Sequence, residues 1–210
     1  VKTLTILGIP AIEFYGNGPS VVLLAGLHGE EVAPPVAVQA MMPIIESWDF
    51  PVLVIPNANP AGVVQGKRKP DWLTNGSIGA DDLFAAEIER SRDVALLVDL
   101  HEDEKATMPY LFGYGSREVT ISLRNALYGI GVEFPKSIRK WWSKKVQAVN
   151  TFEGIIWDDE DESVDARLET KASIVVETPI AWPLAYRVAV QCFVISQVPL
   201  LYQRLAEETP

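Results

Sequence analysis

Three short runs of this chain are apolar almost throughout: Ser20–Leu27, Pro51–Pro56 and Val94–Leu100. A strand with one wet face alternates polar and apolar residues, whereas a strand covered on both faces shows a continuous apolar run. A β-branched stretch, Ser173–Glu177, adds a late strand, and Lys2–Leu7, Glu13–Tyr15 and Met108–Tyr114 add shorter ones. Stretches of helical length and pattern lie between them: Glu30–Trp48, Asp81–Arg92, Glu118–Tyr128 and Leu184–Glu208. Alternation of this kind predicts an α/β fold. Pro34 and Pro35 are tolerable only in a first helical turn, and Pro199 is expected to kink or split the closing helix. Asn57–Gly79, rich in Gly, Pro and Asn, reads as a long loop, and long loops in compact domains tend to be functional.

At 210 residues the chain has room for one domain with a sizeable core. Its formal net charge of −10 argues against a nucleic-acid binder that works by phosphate neutralisation. A single cysteine excludes an intramolecular disulfide framework and a polythiolate zinc site. Val1–Pro10 has no basic segment followed by a long apolar core, and the apolar stretch Trp182–Tyr202 is interrupted by Arg187, Gln191, Gln197 and Pro199. That stretch reads as a buried helix, so no membrane partner is expected and the chain reads as cytoplasmic. Residues 136–170 form a charged excursion or lid within the single domain. Lys136, Arg139, Lys140, Lys144 and Lys145 surround Trp141-Trp142, and the acidic run Asp158–Glu162 follows.

The two histidines, His28 and His101, each follow directly on a buried-type strand. Sites in open α/β sheets form outside the carboxyl ends of parallel strands. In His28-Gly29-Glu30-Glu31 a carboxylate follows three residues after the first imidazole, and on a turn entering a helix those positions share a face. Spacing prefers Glu31, with Glu30 as its competitor. Two imidazoles and one carboxylate, with a fourth position left for water, make the pattern of a catalytic zinc site. Glu177 is the one charged group at the end of its apolar run, placed to act as a general base. In the long loop, Asn59-Pro60-Ala61-Gly62 precedes Lys67-Arg68-Lys69, and Arg68 is the candidate for polarising a carbonyl or pairing with a carboxylate.

His-x-x-Glu, Asn-Pro-x-Gly with a following Arg, Asp-Leu-His, and a strand ending in Glu occur here in that order. Together they resemble the zinc carboxypeptidases of the M14 type, a superfamily that includes the succinylglutamate desuccinylase and aspartoacylase branch. The resemblance runs from about Val21 to Pro179. It implies a single-domain α/β/α sandwich with a mixed, mostly parallel central sheet. It implies one zinc per chain on His28, Glu31 and His101, Glu177 as general base and Arg68 on the oxyanion or substrate carboxylate. The Asn-Arg pair that grips a terminal carboxylate in many carboxypeptidases has no second arginine here. Asn75 can supply half of it, and for the family's tyrosine near the substrate Tyr110 and Tyr114 are the candidates.

The resemblance thus implies a zinc-dependent amide hydrolase, first of all a metallocarboxypeptidase that cleaves peptides with zinc-activated water. The alternatives are a deacylase of N-acyl amino acids, a cell-wall peptide amidase, or an inactive binding module on the same fold. The expected partner is a peptide or N-acyl amino acid substrate, with no nucleic acid and no membrane.

Overall fold

A computed structural model describes residues 1–65, 87–88, 92–136, 151–157 and 170–208. Among them nine strands form one sheet. In chain order they are β1 (Lys2–Ile6), β2 (Ile9–Phe14), β3 (Ser20–Ala25), β4 (Val52–Ile55), β5 (Val94–Asp103), β6 (Tyr110–Gly115), β7 (Thr151–Phe152), β8 (Ile155–Trp157) and β9 (Ala172–Pro179). Across the sheet the order is β1-β2-β4-β3-β5-β9-β6-β8-β7. The middle four, β4-β3-β5-β9, run parallel to one another, and antiparallel pairings flank them. Every residue of β3, β4 and β5 is buried, as their unbroken apolar runs require.

Helices α1 (Ala33–Ile45), α3 (Arg117–Gly129) and α4 (Leu184–Glu207) cover one face of the sheet, and a short helix, α2 (Pro60–Gln65), follows β4. Period-two alternation sends Leu96, Val98 and Leu100 of β5 toward these three helices, and Leu97 to the opposite face. On that opposite face Leu97 packs with Val22, Leu24, Leu53, Ala58 and Ile88. Ile88 is helical, and the rest of the helix expected over Asp81–Arg92 lies outside the described residues apart from Glu87 and Arg92. The fold is the expected mixed α/β sheet with helices packed on it.

Several boundaries differ from the sequence reading, each for a physical reason. Strands β5 and β9 run past their apolar stretches, because backbone pairing continues through His101↔Glu177 to Asp103↔Pro179. Helix α1 begins at Ala33 rather than Glu30, since the chain first turns tightly, with Glu31 N–H donating to His28 O at 3.1 Å. Pro199 neither splits nor ends α4, which runs unbroken for 24 residues with Val190, Val194, Val198 and Leu201 in the core. Within the expected loop Asn57–Gly79, α2 forms because Asn59 caps it. The Oδ1 of Asn59 accepts from Gly62 N–H at 2.8 Å, and Pro60 opens the helix. Gly62 is required there, since a Cβ would lie 2.1 Å from Asn59 Nδ2.

The charged excursion is also not one uniform segment. Its residues 151–157 form the β7–β8 hairpin at the sheet edge, turning through Glu153 and Gly154, both at positive φ. The two tryptophans and both charge clusters lie outside the described residues, except Lys136.

Candidate metal centre and active site

The strand order puts β3, β5 and β9 side by side, so their carboxyl ends open on one region. His28 lies on the turn after β3, His101 in the last part of β5 and Glu177 in the last part of β9. The chain can leave β3 sharply because Gly26 sits at φ +68°. A Cβ there would meet Pro35 Cγ at 2.9 Å and Asn57 Oδ1 at 3.0 Å. The residue that makes this turn possible is therefore Gly26, ahead of the His-x-x-Glu motif, whereas Gly29 is not among the glycines at positive φ.

The turn folds Glu31 back under His28. Nδ1 of His28 is 2.5 Å from Glu31 Oε1, and Nδ1 of His101 is 3.1 Å from Glu31 Oε2. The two imidazole centroids are 5.0 Å apart, tilted by 60°. One donor atom from each of His28, Glu31 and His101 lies within 4.8 Å of the others. The spacing argument for Glu31 over Glu30 thus agrees with the geometry. Glu31 and His101 are buried, and His28 is half-buried.

Asp99 and His101 are two apart on β5 and share a face. Nε2 of His101 donates to Asp99 Oδ2 at 2.8 Å. A carboxylate accepts only, so this bond puts a proton on Nε2 and leaves Nδ1 as the ring nitrogen that faces Glu31, the usual way an outer carboxylate orients a ligating imidazole.

Burial opposes ionisation of Glu31, yet the charge and hydrogen bond of His101, aided by His28, outweigh it and hold its carboxyl at about 2. Burial would likewise lower His101, but the charges of Asp99 and Glu31 raise it well above the usual imidazole value. Glu177 is pushed up to about 8, first by burial. His101 pulls it down, and the charges of Glu31, Asp103 and Asp99 add to the rise. The pocket therefore gathers carboxylates around two imidazoles and calls for positive charge.

Two oxygens mark the same need. Buried Oε2 of Glu31 and Oε2 of Glu177 have no hydrogen-bond partner. Carboxylate oxygens crowded against two imidazole nitrogens, with one at Glu177 left without any hydrogen bond, suit a divalent cation with mixed nitrogen and oxygen ligands, so the donor set fits the group that the resemblance implies.

Of the other expected site residues, Arg68 and Asn75 lie outside the described residues. Tyr110 stands opposite Glu177 on the β6–β9 ladder, and its hydroxyl donates to Asp103 Oδ2 at 2.8 Å. Tyr114 pairs with Ser173, four residues back along β9, and so lies farther from the site's end of the sheet. Sequence reasoning passed over Asp103 and Glu102. The signal available was their charge at buried strand positions, where an acid needs a partner.

The described residues thus form a mixed α/β sheet in which two imidazoles and a carboxylate, a group able to hold a metal ion, converge at the parallel strand ends. Comparison with known proteins agrees. Residues 17–78 match the model of the succinylglutamate desuccinylase/aspartoacylase catalytic domain.

Among solved structures, a candidate metallopeptidase from Shewanella denitrificans shares the fold at TM-score 0.72 and 21% identity, over 90% of this chain and 77% of that one. One from Shewanella amazonensis does so at 0.71 and 22%, over 92% and 82%. The ectoine utilization protein EutE (DoeB) of Ruegeria pomeroyi matches at 0.61 and 15%, over 91% and 60%. No curated protein matches the chain. The family match over residues 17–78 supports a hydrolase of this broad type, the solved structures share the fold, and the likeness read from the sequence motifs is borne out.

Proposed function

We propose that the chain is a zinc-dependent amide hydrolase, with His28, Glu31 and His101 as the metal ligands and Glu177 as the general base. The observation that carries the reading is the convergence of the three donor groups within 4.8 Å at the sheet's carboxyl edge, with Glu177 at the register position paired with His101. When bound, zinc supplies a Lewis acid that lowers the pKa of water and polarises a carbonyl.

The protein's own groups do the rest. His28 and His101 present ring nitrogens, Glu31 supplies the anionic ligand, and Asp99 orients the His101 ring. Glu177 takes a proton from the attacking water and returns it to the departing amine. Its position in an acid-rich, buried setting supports this role, because such surroundings hold a proton readily. Arg68 is assigned to the developing oxyanion or to a substrate carboxylate, and Asn75 to substrate binding.

A peptide with a free carboxyl end is the first substrate class, as the motif order supports. An N-acyl amino acid is the second, favoured by the family match over residues 17–78. The test is metal content followed by a substrate panel. Wild type is expected to carry about one zinc per chain, and His28→Ala and His101→Ala to lose it. Hydrolysis of peptides with free but not blocked C-termini selects the first class, and hydrolysis of N-acyl amino acids alone selects the second. Wild-type protein that takes up no zinc overturns the reading.

A further inference from the structure

Behind the metal-ligand set, on the helical side of the sheet, sits a second acid. Glu102 follows His101 on β5 and therefore points to the opposite face. It is fully buried. Its Oε2 accepts from Ala33 N–H at 2.9 Å, and its Oε1 pairs with Arg187 Nη1 of α4.

Ala33 opens α1, two residues after Glu31. That helix start has little else to hold it. Val32 at the N-cap offers no side-chain bond, no acid stands in the first turn, and Pro34 and Pro35 have no N–H. A helix N-terminus leaves backbone donors unsatisfied and carries partial positive charge, so a carboxylate there is favourable. Here that carboxylate comes from 69 residues away. One helical turn along α4 from Arg187, Gln191 Nε2 donates to His101 O at 3.2 Å and to Thr178 Oγ1 at 2.9 Å. The same helix therefore grips the backbone of the ligand strand as well.

Resting on the metal-site reading above, we propose that Glu102 is a positioning residue that sets the spacing between Glu31 and His101. The connection forms a closed circuit: His101 to Glu102 by peptide bond, Glu102 to Ala33 by hydrogen bond, Ala33 to Glu31 through Val32, and Glu31 back to His101 across the site. Arg187 neutralises Glu102 and holds its carboxylate toward α1. The β3–β5 ladder ends at Ala25↔Leu100, and this link ties the His28–Glu31 turn to β5 beyond it.

The test measures zinc affinity by competition with a chromophoric chelator, and the visible spectrum of the cobalt-substituted protein, for wild type, Glu102→Gln and Arg187→Met. Glu102→Gln removes the charge that draws this side chain to the helix start and to Arg187, and Arg187→Met removes the partner that holds the carboxylate toward α1, so each slackens the link to Ala33. Both are expected to weaken zinc binding, Glu102→Gln by about tenfold, the low end of what disturbing the support of a metal ligand costs. The cobalt bands are expected to shift in both. Folded variants with wild-type zinc affinity and cobalt spectrum, even at a lowered melting temperature, would show a merely structural role and overturn the proposal. Wild-type protein that binds no zinc overturns the metal-site reading and this inference with it.

Discussion

Replacing Asp99 by asparagine and by alanine probes how strongly the site depends on a group that is not among its ligands. In the wild type, Asp99 Oδ2 accepts from His101 Nε2 at 2.8 Å, and Asp99 is fully buried. A hydrogen bond to a charged group is worth about 1.5–3 kcal/mol and a neutral one about 0.5–1.5. Asp99→Asn keeps the acceptor and removes the charge, so it forfeits about 1–1.5 kcal/mol of support for a cation on His101, or about tenfold in affinity. Asp99→Ala also leaves a buried N–H unpaired, at about 1–3 kcal/mol more, so the total loss is about 2–4.5 kcal/mol, or about thirtyfold and above.

Asp99 favours a proton on His101 as well as a metal ion, and the two compete. The comparison therefore belongs in mildly alkaline buffer, with zinc affinity read by chelator competition. In acidic buffer the gap between wild type and Asp99→Asn should narrow, because the variant also holds the competing proton less tightly. Folded variants that bind zinc as wild type does in alkaline buffer would refute the idea that this bond reaches the metal.

Other outcomes follow from the same geometry. Glu177→Gln should keep zinc and lower turnover by about 10²–10⁴-fold, the usual worth of a general base, as measured by initial rates on a cleaved substrate. In the metal-free protein Glu177 titrates near 8 when folded, against 4.5 as its ordinary value. Its protonated form thus stabilises the fold fully below 4.5, and that stability is lost as pH rises through about 8. Melting temperatures of metal-free wild type should fall across that window, and Glu177→Gln should flatten the fall. Asn59→Ala removes the cap of α2 and should cost about 0.5–2 kcal/mol in denaturant unfolding. Leu23→Ala, at a fully buried position in β3, should cost about 2–5 kcal/mol by the same assay.

The parallel centre of the sheet was legible because burial on both faces leaves Val21–Leu24, Leu53–Ile55 and Leu96–Val98 no polar positions. His28, Glu31 and His101 were legible because local rules, strand end and i,i+3 spacing, govern where they point. The β7–β8 hairpin was not read, since two-residue and three-residue strands carry too little pattern beside such dense charge. Its one local sign was glycine at Gly154. Helix α2 was missed although Asn59-Pro60 is a capping signal, because the surrounding Gly and Pro favoured a loop reading. Beyond an acid at a buried strand position, nothing in the sequence pointed to the partners of Glu102. Those contacts depend on α1 and α4 meeting behind β5, and on partners 69 and 85 residues away in the chain.

The order β3-β5-β9 also bears on how the molecule comes together. Val94 pairs with Ser20 and Ala172 with Leu96, so neighbouring strands are separated by roughly seventy-five residues of chain, and each pairing closes a long loop at an entropic cost. Contacts this distant in sequence make for slow folding. No fragment confined to one strand and its turn can hold all three donors. An ion that needs His28, Glu31 and His101 together would therefore recognise the finished sheet and not its pieces. It would act as a latch, adding to stability by mass action only once the long-range pairing is complete.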